Sequence, residues 1–213
     1  MTRLLFSICI LFHLTTLGQD LKKKRKGDET FYVLKSDESI RHGEYIKKSA
    51  SGLIAKGQYE MNKKIGIWEF YGLDGNIEQK YNYSNKALLL NDNFTSVSMR
   101  NLIVRDGLTT ETAPSQEPIL VGGPSKYFRY LMENVRYPSN ARTKGTQGKV
   151  LVSAIITSDG MMKDIKVLQG LGDGCDEEAL RVINSFESEW IPGKYNGEEV
   201  DTMIVLSFEF RLG

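Results

Sequence analysis

Few residues in this sequence could carry out nucleophilic chemistry. Beyond the N-terminal apolar segment the chain has one histidine, His42, and one cysteine, Cys175. A thiolate activated by an imidazole is a protein nucleophile, but these two residues lie far apart in the sequence. Cys175 also falls at the start of a predicted helix, where a small packed residue is the common role. The sequence therefore predicts no catalytic residue.

Glycines and acidic residues form a second group of candidates, near residue 175. The segment Gly170–Gly174 is glycine-rich, but no Lys-Ser or Lys-Thr pair follows it, as a phosphate-binding loop requires. It has too few acidic positions for a calcium loop, and no Cys/His group has zinc-ligand spacing. Glu177 and Glu178 suit the positive end of a helix dipole. We expect no metal, no cofactor and no enzymatic activity.

Composition and charge narrow the possible partners. Hydrophobic residues make up 40% of the chain and charged residues 26%, values typical of a soluble globular protein. Lys and Arg number 28 against 27 Asp and Glu, a net charge of +1. Because binding along nucleic acid depends on neutralising phosphates, this balance disfavours a nucleic-acid partner.

The N-terminus has the pattern of an export signal. Arg3 precedes the apolar run Leu4–Phe12, and the small residue Gly18 precedes Gln19. The run is shorter than the roughly 20 apolar residues of a membrane span, so we predict a signal peptide over residues 1–18 and a periplasmic protein. The alternative is an uncleaved inner-membrane anchor. Cleavage would leave Cys175 alone, without an intramolecular disulfide.

Glycine and aromatic residues alternate with polar ones in the following region. Gly43-Glu44-Tyr45 is echoed by Gly57-Gln58-Tyr59, and Gly66-Ile67-Trp68-Glu69-Phe70-Tyr71 leads into an Asp74-Gly75 turn. Alternation of this kind predicts short β-hairpins. Residues 40–83 resemble MORN-like repeats and, more closely, the repeats of antitoxin-type proteins of the YwqK kind. This resemblance implies a β-sheet interaction surface, whereas an ordinary β-meander is the alternative.

The C-terminal part has the clearest periodicities. Ser125, as the cap, begins a predicted helix that ends at Asn134, and a proline-rich stretch precedes it. The fold class predicted is α+β, with two helices packed on an antiparallel three-stranded sheet after a small all-β hairpin-repeat domain. The predicted later elements are a short helical piece (139–144), strands (149–157 and 161–169), a helix capped by Asp173 or Asp176 (176–186) and a closing strand (200–210). The predicted units are a signal peptide (1–18), a charged flexible segment (19–30), a repeat region (31–108), a linker (109–124) and a C-terminal domain (125–213).

Residues 137–211 resemble the C-terminal domain of TonB, an energy transducer that couples the inner membrane to outer-membrane receptors. The matching features are Tyr137-Pro138, Ala141, Gly148-Lys149-Val150, Asp159-Gly160, Ile165 with Val167-Leu168, Glu177-Glu178-Ala179-Leu180, Trp190 with Pro192-Gly193-Lys194, Asn196-Gly197 and the closing strand.

This resemblance implies that the closing strand is a peptide-binding edge. In the family an extended receptor segment adds beside that strand, which satisfies backbone groups left unpaired at a sheet edge. The edge so implied consists of Met203, Ile204, Val205, Leu206, Ser207, Phe208, Glu209 and Phe210. Arg136, Tyr137 and Pro138 are the implied partner contacts, and Arg136 replaces a family glutamine, which favours an acidic partner. An exposed closing strand could also pair with a second copy as a homodimer.

The expected function is therefore protein–protein interaction linked to transmembrane transport, with an outer-membrane receptor as partner. The chain departs from the family in having no long proline-rich spacer. A structural, envelope-associated repeat protein or an antitoxin-like module, neither transducing energy, is the alternative.

Overall fold

Antiparallel strands dominate a computed structural model that describes residues 20–92 and 97–212. The strands are β1 Leu21–Lys26, β2 Glu29–Leu34, β3 Arg41–Ser49, β4 Gly52–Glu60, β5 Lys63–Tyr71, β6 Ile77–Asn82, β7 Ala87–Asn91, β8 Asn101–Arg105, β9 Leu108–Thr109, β10 Ile119–Leu120, β11 Gly148–Ile156, β12 Met162–Gln169, β13 Trp190–Ile191, β14 Gly193–Tyr195, β15 Glu198–Val200 and β16 Thr202–Phe210. The helices are α1 Pro124–Asn134, α2 Ser139–Lys144 and α3 Cys175–Asn184. No helix in these two ranges has the length and apolarity to cross a membrane. The predicted signal peptide lies outside the described residues.

The first seven strands form one antiparallel sheet in sequence order, β1 to β7. Each strand pairs with the next through a short connection of two to six residues, as the glycine and aromatic pattern predicts. Strand β1 corrects one expectation, because residues 19–30 were predicted to be flexible. Instead Leu21–Lys26 pairs along its whole length with β2, from Leu21↔Leu34 to Lys26↔Glu29.

One face of this sheet is built around Trp68, which is buried. The rings of Tyr45 and Tyr59 both lie 5.2 Å from the Trp68 ring, and the indole Nε1 donates a hydrogen bond to the Gln58 carbonyl. Gly57 has no side chain because the indole occupies that space: a Cβ there would lie 2.3 Å from two Trp68 ring carbons. The predicted repeat glycine is thus a packing requirement.

The second sheet has the order β12-β11-β16-β8-β9, with helices packed on one face. The predicted three strands, β11, β12 and β16, are present, but the sheet is larger by two strands. Strand β8 and Leu108 of β9 come from residues that the sequence placed in the repeat region, and Thr109 comes from the predicted linker. The described residues form three helices rather than two, because the short piece Ser139–Lys144 forms α2, which ends at Gly145 in the left-handed conformation.

The segment predicted as a linker, residues 109–124, is packed against the C-terminal domain. Strand β10 pairs with β13, with Leu120 opposite Trp190. Gln116 exchanges two backbone hydrogen bonds with Lys194 in the β14–β15 hairpin, at 2.8 and 3.1 Å. The prolines of this stretch therefore shape an extended ribbon rather than a mobile tether.

Two buried polar residues of β6 join the two sheets. Gln79 is fully buried, donates to the Leu120 carbonyl at 3.0 Å and accepts from the Gly122 N–H at 2.7 Å. Glu78 accepts from the Ser125 N–H at 3.1 Å and from its hydroxyl at 2.9 Å. Ser125 therefore does not cap α1 as predicted: the N-cap residue is Gly123, and the carboxylate at this helix N-terminus comes from the other sheet.

Candidate functional site

Strand β16 is the centre of the C-terminal sheet. Ile204, Leu206, Phe208 and Phe210 point into the helix-covered core, as the alternation predicts, and all four are buried. On one side β16 pairs with the full length of β11, from Gly148↔Phe210 to Ile156↔Thr202. One side of the strand is therefore unavailable to any partner.

On the other side of β16, the described residues pair with the strand as far as Val205. Strand β8 pairs with it at Thr202↔Ile103, Met203↔Leu102 and Ile204↔Asn101. Beyond that register the Val205 N–H donates to the Arg100 carbonyl at 3.1 Å, and the Val205 carbonyl accepts from the Met99 N–H at 2.7 Å. The predicted edge is therefore not free over Met203–Val205, because β8 and residues 98–100 already pair with this part of β16.

The remaining part of the predicted edge, Ser207–Phe210, is different. The Asp201 and Val205 backbone groups point toward β8, so the groups of Ser207 and Glu209 point the same way by the two-residue period of a strand. Within residues 20–92 and 97–212 no strand pairs with β16 on this side beyond Ile204↔Asn101 and the Val205 bonds. Glu209 is exposed and Ser207 half-buried.

The structure brings the predicted Tyr-Pro contact to this end of the strand. The Tyr137 ring meets the Phe210 ring edge to face, with 5.8 Å between centroids, and its hydroxyl donates to the Thr146 carbonyl at 2.6 Å. Pro138 packs beside Gly174 at the start of α3. Three of the predicted site residues (Tyr137, Pro138 and Phe210) therefore lie around the end of β16 that β8 leaves uncovered.

Arg136 precedes this contact and is exposed. Its backbone N–H donates to the Glu178 carboxylate at 2.6 Å. Glu178 also accepts two hydrogen bonds from Arg181, and these, followed by the Arg136 N–H, hold the pKa of Glu178 below its usual value. The loop carrying Arg136 is thus anchored through its backbone. The exposed guanidinium makes no hydrogen bond or ion pair among the described residues, although its charge also helps to lower the pKa of Glu178.

The residues first considered for catalysis are not brought together. Cys175 is fully buried in the C-terminal core, where burial raises the pKa of its thiol, and His42 lies in β3 of the other sheet. The glycine segment before α3 is closed by Asp176, whose carboxylate accepts from the Leu171 and Gly172 N–H groups. No group of three metal-ligating side chains occurs among the described residues.

Strand β8 is the functional element whose role sequence reasoning missed. Leu102-Ile103-Val104 is recognisable as a strand, and Asp106-Gly107 after it is a hairpin signal. Its partner is not recognisable, because β8 pairs with a strand about a hundred residues later in the chain.

Comparison with known families matches residues 133–212 to the family described as Gram-negative bacterial TonB protein C-terminal. No curated protein and no solved structure is significantly similar to the chain. The match covers α2, β11, β12, α3 and β13 to β16, together with the loop at Tyr137. It begins after β8, so the strand that covers β16 is an addition to the matched region.

Proposed function

Because residues 133–212 form a domain of the TonB C-terminal family, which interacts with other proteins such as outer-membrane receptors, we propose that β16 receives an extended segment of a partner protein. The observation that carries this proposal is the unequal pairing of β16. One side is fully occupied by β11, whereas on the other side β8 stops at Ile204 and Val205. An extended segment that adds there would satisfy the Ser207 and Glu209 backbone groups.

The partner segment would begin at the uncovered end and extend by replacing β8. Pairing with Ser207 and Glu209 aligns the segment along β16. To pair further, the segment must replace the hydrogen bonds that this chain already makes to Val205 and Met203 with its own. Each backbone hydrogen bond contributes only about 0.5–1.5 kcal/mol net, so replacing a bond from β8 by the same bond from the partner segment costs little. Strand β8 is also imperfectly satisfied: the buried Asn101 Oδ1 has no hydrogen-bond partner among the described residues.

Side chains near the uncovered end would select the segment. The Tyr137 and Phe210 rings form an apolar corner, and the exposed guanidinium of Arg136 directly precedes it in the chain. A guanidinium binds a carboxylate through two parallel hydrogen bonds. We therefore expect a segment with an acidic residue close to the position that pairs with Glu209.

The proposed location is the periplasm and the proposed partner an outer-membrane receptor, as the family suggests. N-terminal sequencing of exported protein should find Gln19 first. Recovery of intact Met1 from the membrane fraction would contradict the periplasmic location and support the alternative of an inner-membrane anchor.

The experiment for β16 is photo-crosslinking in cells from an amino acid placed at Ser207, combined with a disulfide that locks β8. Asn101 and Ile204 lie opposite each other, so Asn101→Cys with Ile204→Cys joins the two strands when oxidised. Capture of an extended receptor segment from Ser207 should occur in the reduced form and be lost in the oxidised form.

A photo-crosslinker at Leu168 provides the matched control, because Leu168 is exposed on β12 at the opposite edge of the same sheet. Equal capture from both positions, or capture unaffected by oxidation, would refute binding by displacement of β8. Capture of only a second copy of this chain would instead support a homodimer through β16.

A structural role in the envelope is the second candidate, and one observation favours it. The seven-stranded sheet is joined to the C-terminal domain through the buried Glu78 and Gln79 contacts rather than through a flexible linker. A connection through buried contacts suits a protein that holds the surfaces of its two parts at a fixed distance from each other. If the oxidised protein no longer captures a partner from Ser207 and the cells still have a normal envelope, that result would favour the structural role over partner binding.

A further inference from the structure

A groove of about 400 Å³ lies where the first sheet meets α1 and the segment after α3. Ile54 lines it from β4, Tyr130 from α1, and Phe186 from the segment after α3. These apolar side chains surround Lys126, whose Nζ lies 5.6 Å from the centre of the Phe186 ring. The groove therefore combines these apolar side chains with charged ones, among which Lys126 lies against the Phe186 ring.

Lys126 is held in this groove by its packing. A Cβ at Gly122 would lie 2.8 Å from the Lys126 Cδ, so the absence of a side chain at Gly122 makes room for the lysine stem. Gly122 has φ +105°, a conformation that other residues rarely adopt. The ammonium group is thus placed against Phe186 by a backbone feature that favours glycine.

The ammonium of Lys126 has no hydrogen-bond acceptor and no ion-pair partner among the described residues. The other cations that line the groove are engaged: Lys47 pairs with Asp28 at 3.3 Å, and Arg129 donates to the Tyr71 and Gly72 carbonyls. Burial, with a smaller contribution from Lys64, lowers the pKa of Lys126 to about 8. A desolvated charge without a partner is costly, which is why buried charges in proteins are normally paired.

We propose that this groove binds a monocarboxylate attached to an apolar group, with Lys126 as the cation that receives the carboxylate. The apolar walls fit the hydrocarbon part of such a ligand. Glu133 and Glu187 also line the groove, and they repel a doubly charged anion such as phosphate more strongly than a monocarboxylate. The carboxylate can come from a glutamate side chain of a protein partner or from a small free acid.

Two probes distinguish these sources: free 3-phenylpropionate, and an acetylated, amidated Gly-Leu-Glu-Gly peptide with its glutamine counterpart as a control. Binding to the full chain is followed by NMR signals of Phe186 and Tyr130. The change Lys126→Met keeps the stem but removes the charge, and should weaken binding of the effective probe at least about tenfold. Lys126→Arg should restore most of the binding, and Lys149→Met, at an exposed lysine, should leave it unchanged.

A second readout is the titration of the Lys126 side chain in lysine-labelled protein. If the carboxylate binds the ammonium form about tenfold more tightly than the neutral amine, the pKa of Lys126 should rise by about one unit on binding. Binding of only the free acid would identify a small-molecule site, and binding of the glutamate peptide a protein partner. The proposal is overturned if neither probe binds in a Lys126-dependent way, or if Lys126 without probe already titrates near the ordinary lysine value of about 10.4.

Discussion

Replacing Trp68 by alanine should lower the free energy of unfolding by about 3–5 kcal/mol, the usual cost of truncating a buried aromatic residue. Trp68 is 2% exposed and its ring contacts four other aromatic rings. These are Tyr45 and Tyr59 at 5.2 Å, Tyr83 at 5.6 Å and Phe70 at 6.3 Å. Gly57 lies against the indole and has no side chain that could fill the cavity from that side.

The measurement uses the two tryptophans of the chain. In the Trp68→Ala variant Trp190 remains as the single tryptophan, and it lies in the C-terminal core. If the two sheets unfold together, urea unfolding followed by Trp190 fluorescence shifts to lower urea along with the circular dichroism signal. Ile67→Ala, at an exposed position of the same strand, is the control and should change stability little. An unshifted Trp190 transition would show that the sheets unfold independently.

Replacing Glu78 by alanine should lower the free energy of unfolding by about 2–3 kcal/mol and uncouple the two sheets. Its carboxylate is 3% exposed and accepts both the N–H and the hydroxyl of Ser125, and hydrogen bonds to a charged group contribute about 1.5–3 kcal/mol. The change also removes a negative charge from the N-terminus of α1, where the helix dipole favours one. No side-chain cap of α1 itself compensates for this loss.

Uncoupling is measured by comparing two transitions in the same urea titration. Circular dichroism follows both sheets, whereas Trp190 fluorescence in a Trp68→Phe background follows the C-terminal core alone. The Glu78→Ala change should separate the two midpoints. Glu44→Ala, at an exposed glutamate of β3, serves as the control and should leave them coincident. A single shared transition in the Glu78 variant would mean that Gln79 and the packing of Val121 couple the sheets without Glu78.

Glu78 and Gln79 were not identifiable from the sequence. Both lie in the sequence Ile77-Glu78-Gln79-Lys80, which resembles an exposed, polar strand. Their burial arises because residues 120–125 pass over this strand and direct backbone N–H groups toward it. A polar side chain that satisfies the backbone of a distant segment has no local signature, since its partner lies more than forty residues away.

The local elements, by contrast, could be predicted. The two-residue alternation of β16 and the helical spacing of Ala179, Ile183 and Phe186 place the same residues in the core that the structure buries. The Asp159-Gly160 turn between β11 and β12 and the Gly145 end of α2 follow from turn and cap chemistry. The resemblance of residues 137–211 to the TonB C-terminal domain is confirmed by the family match over residues 133–212.

The sequence by itself determined most of the longer strands and helices, which of their faces are apolar, and which family the C-terminal domain resembles. All of these depend on residue types at short spacing, so the information is local. Only the tertiary structure decided that β8 pairs with β16, that the predicted linker is packed, and that Lys126 lies in a groove between the first sheet, α1 and the segment after α3. These features depend on which distant segments pair. The backbone groups that pair are the same in nearly every residue, so residue types do not reveal which strand will be the partner.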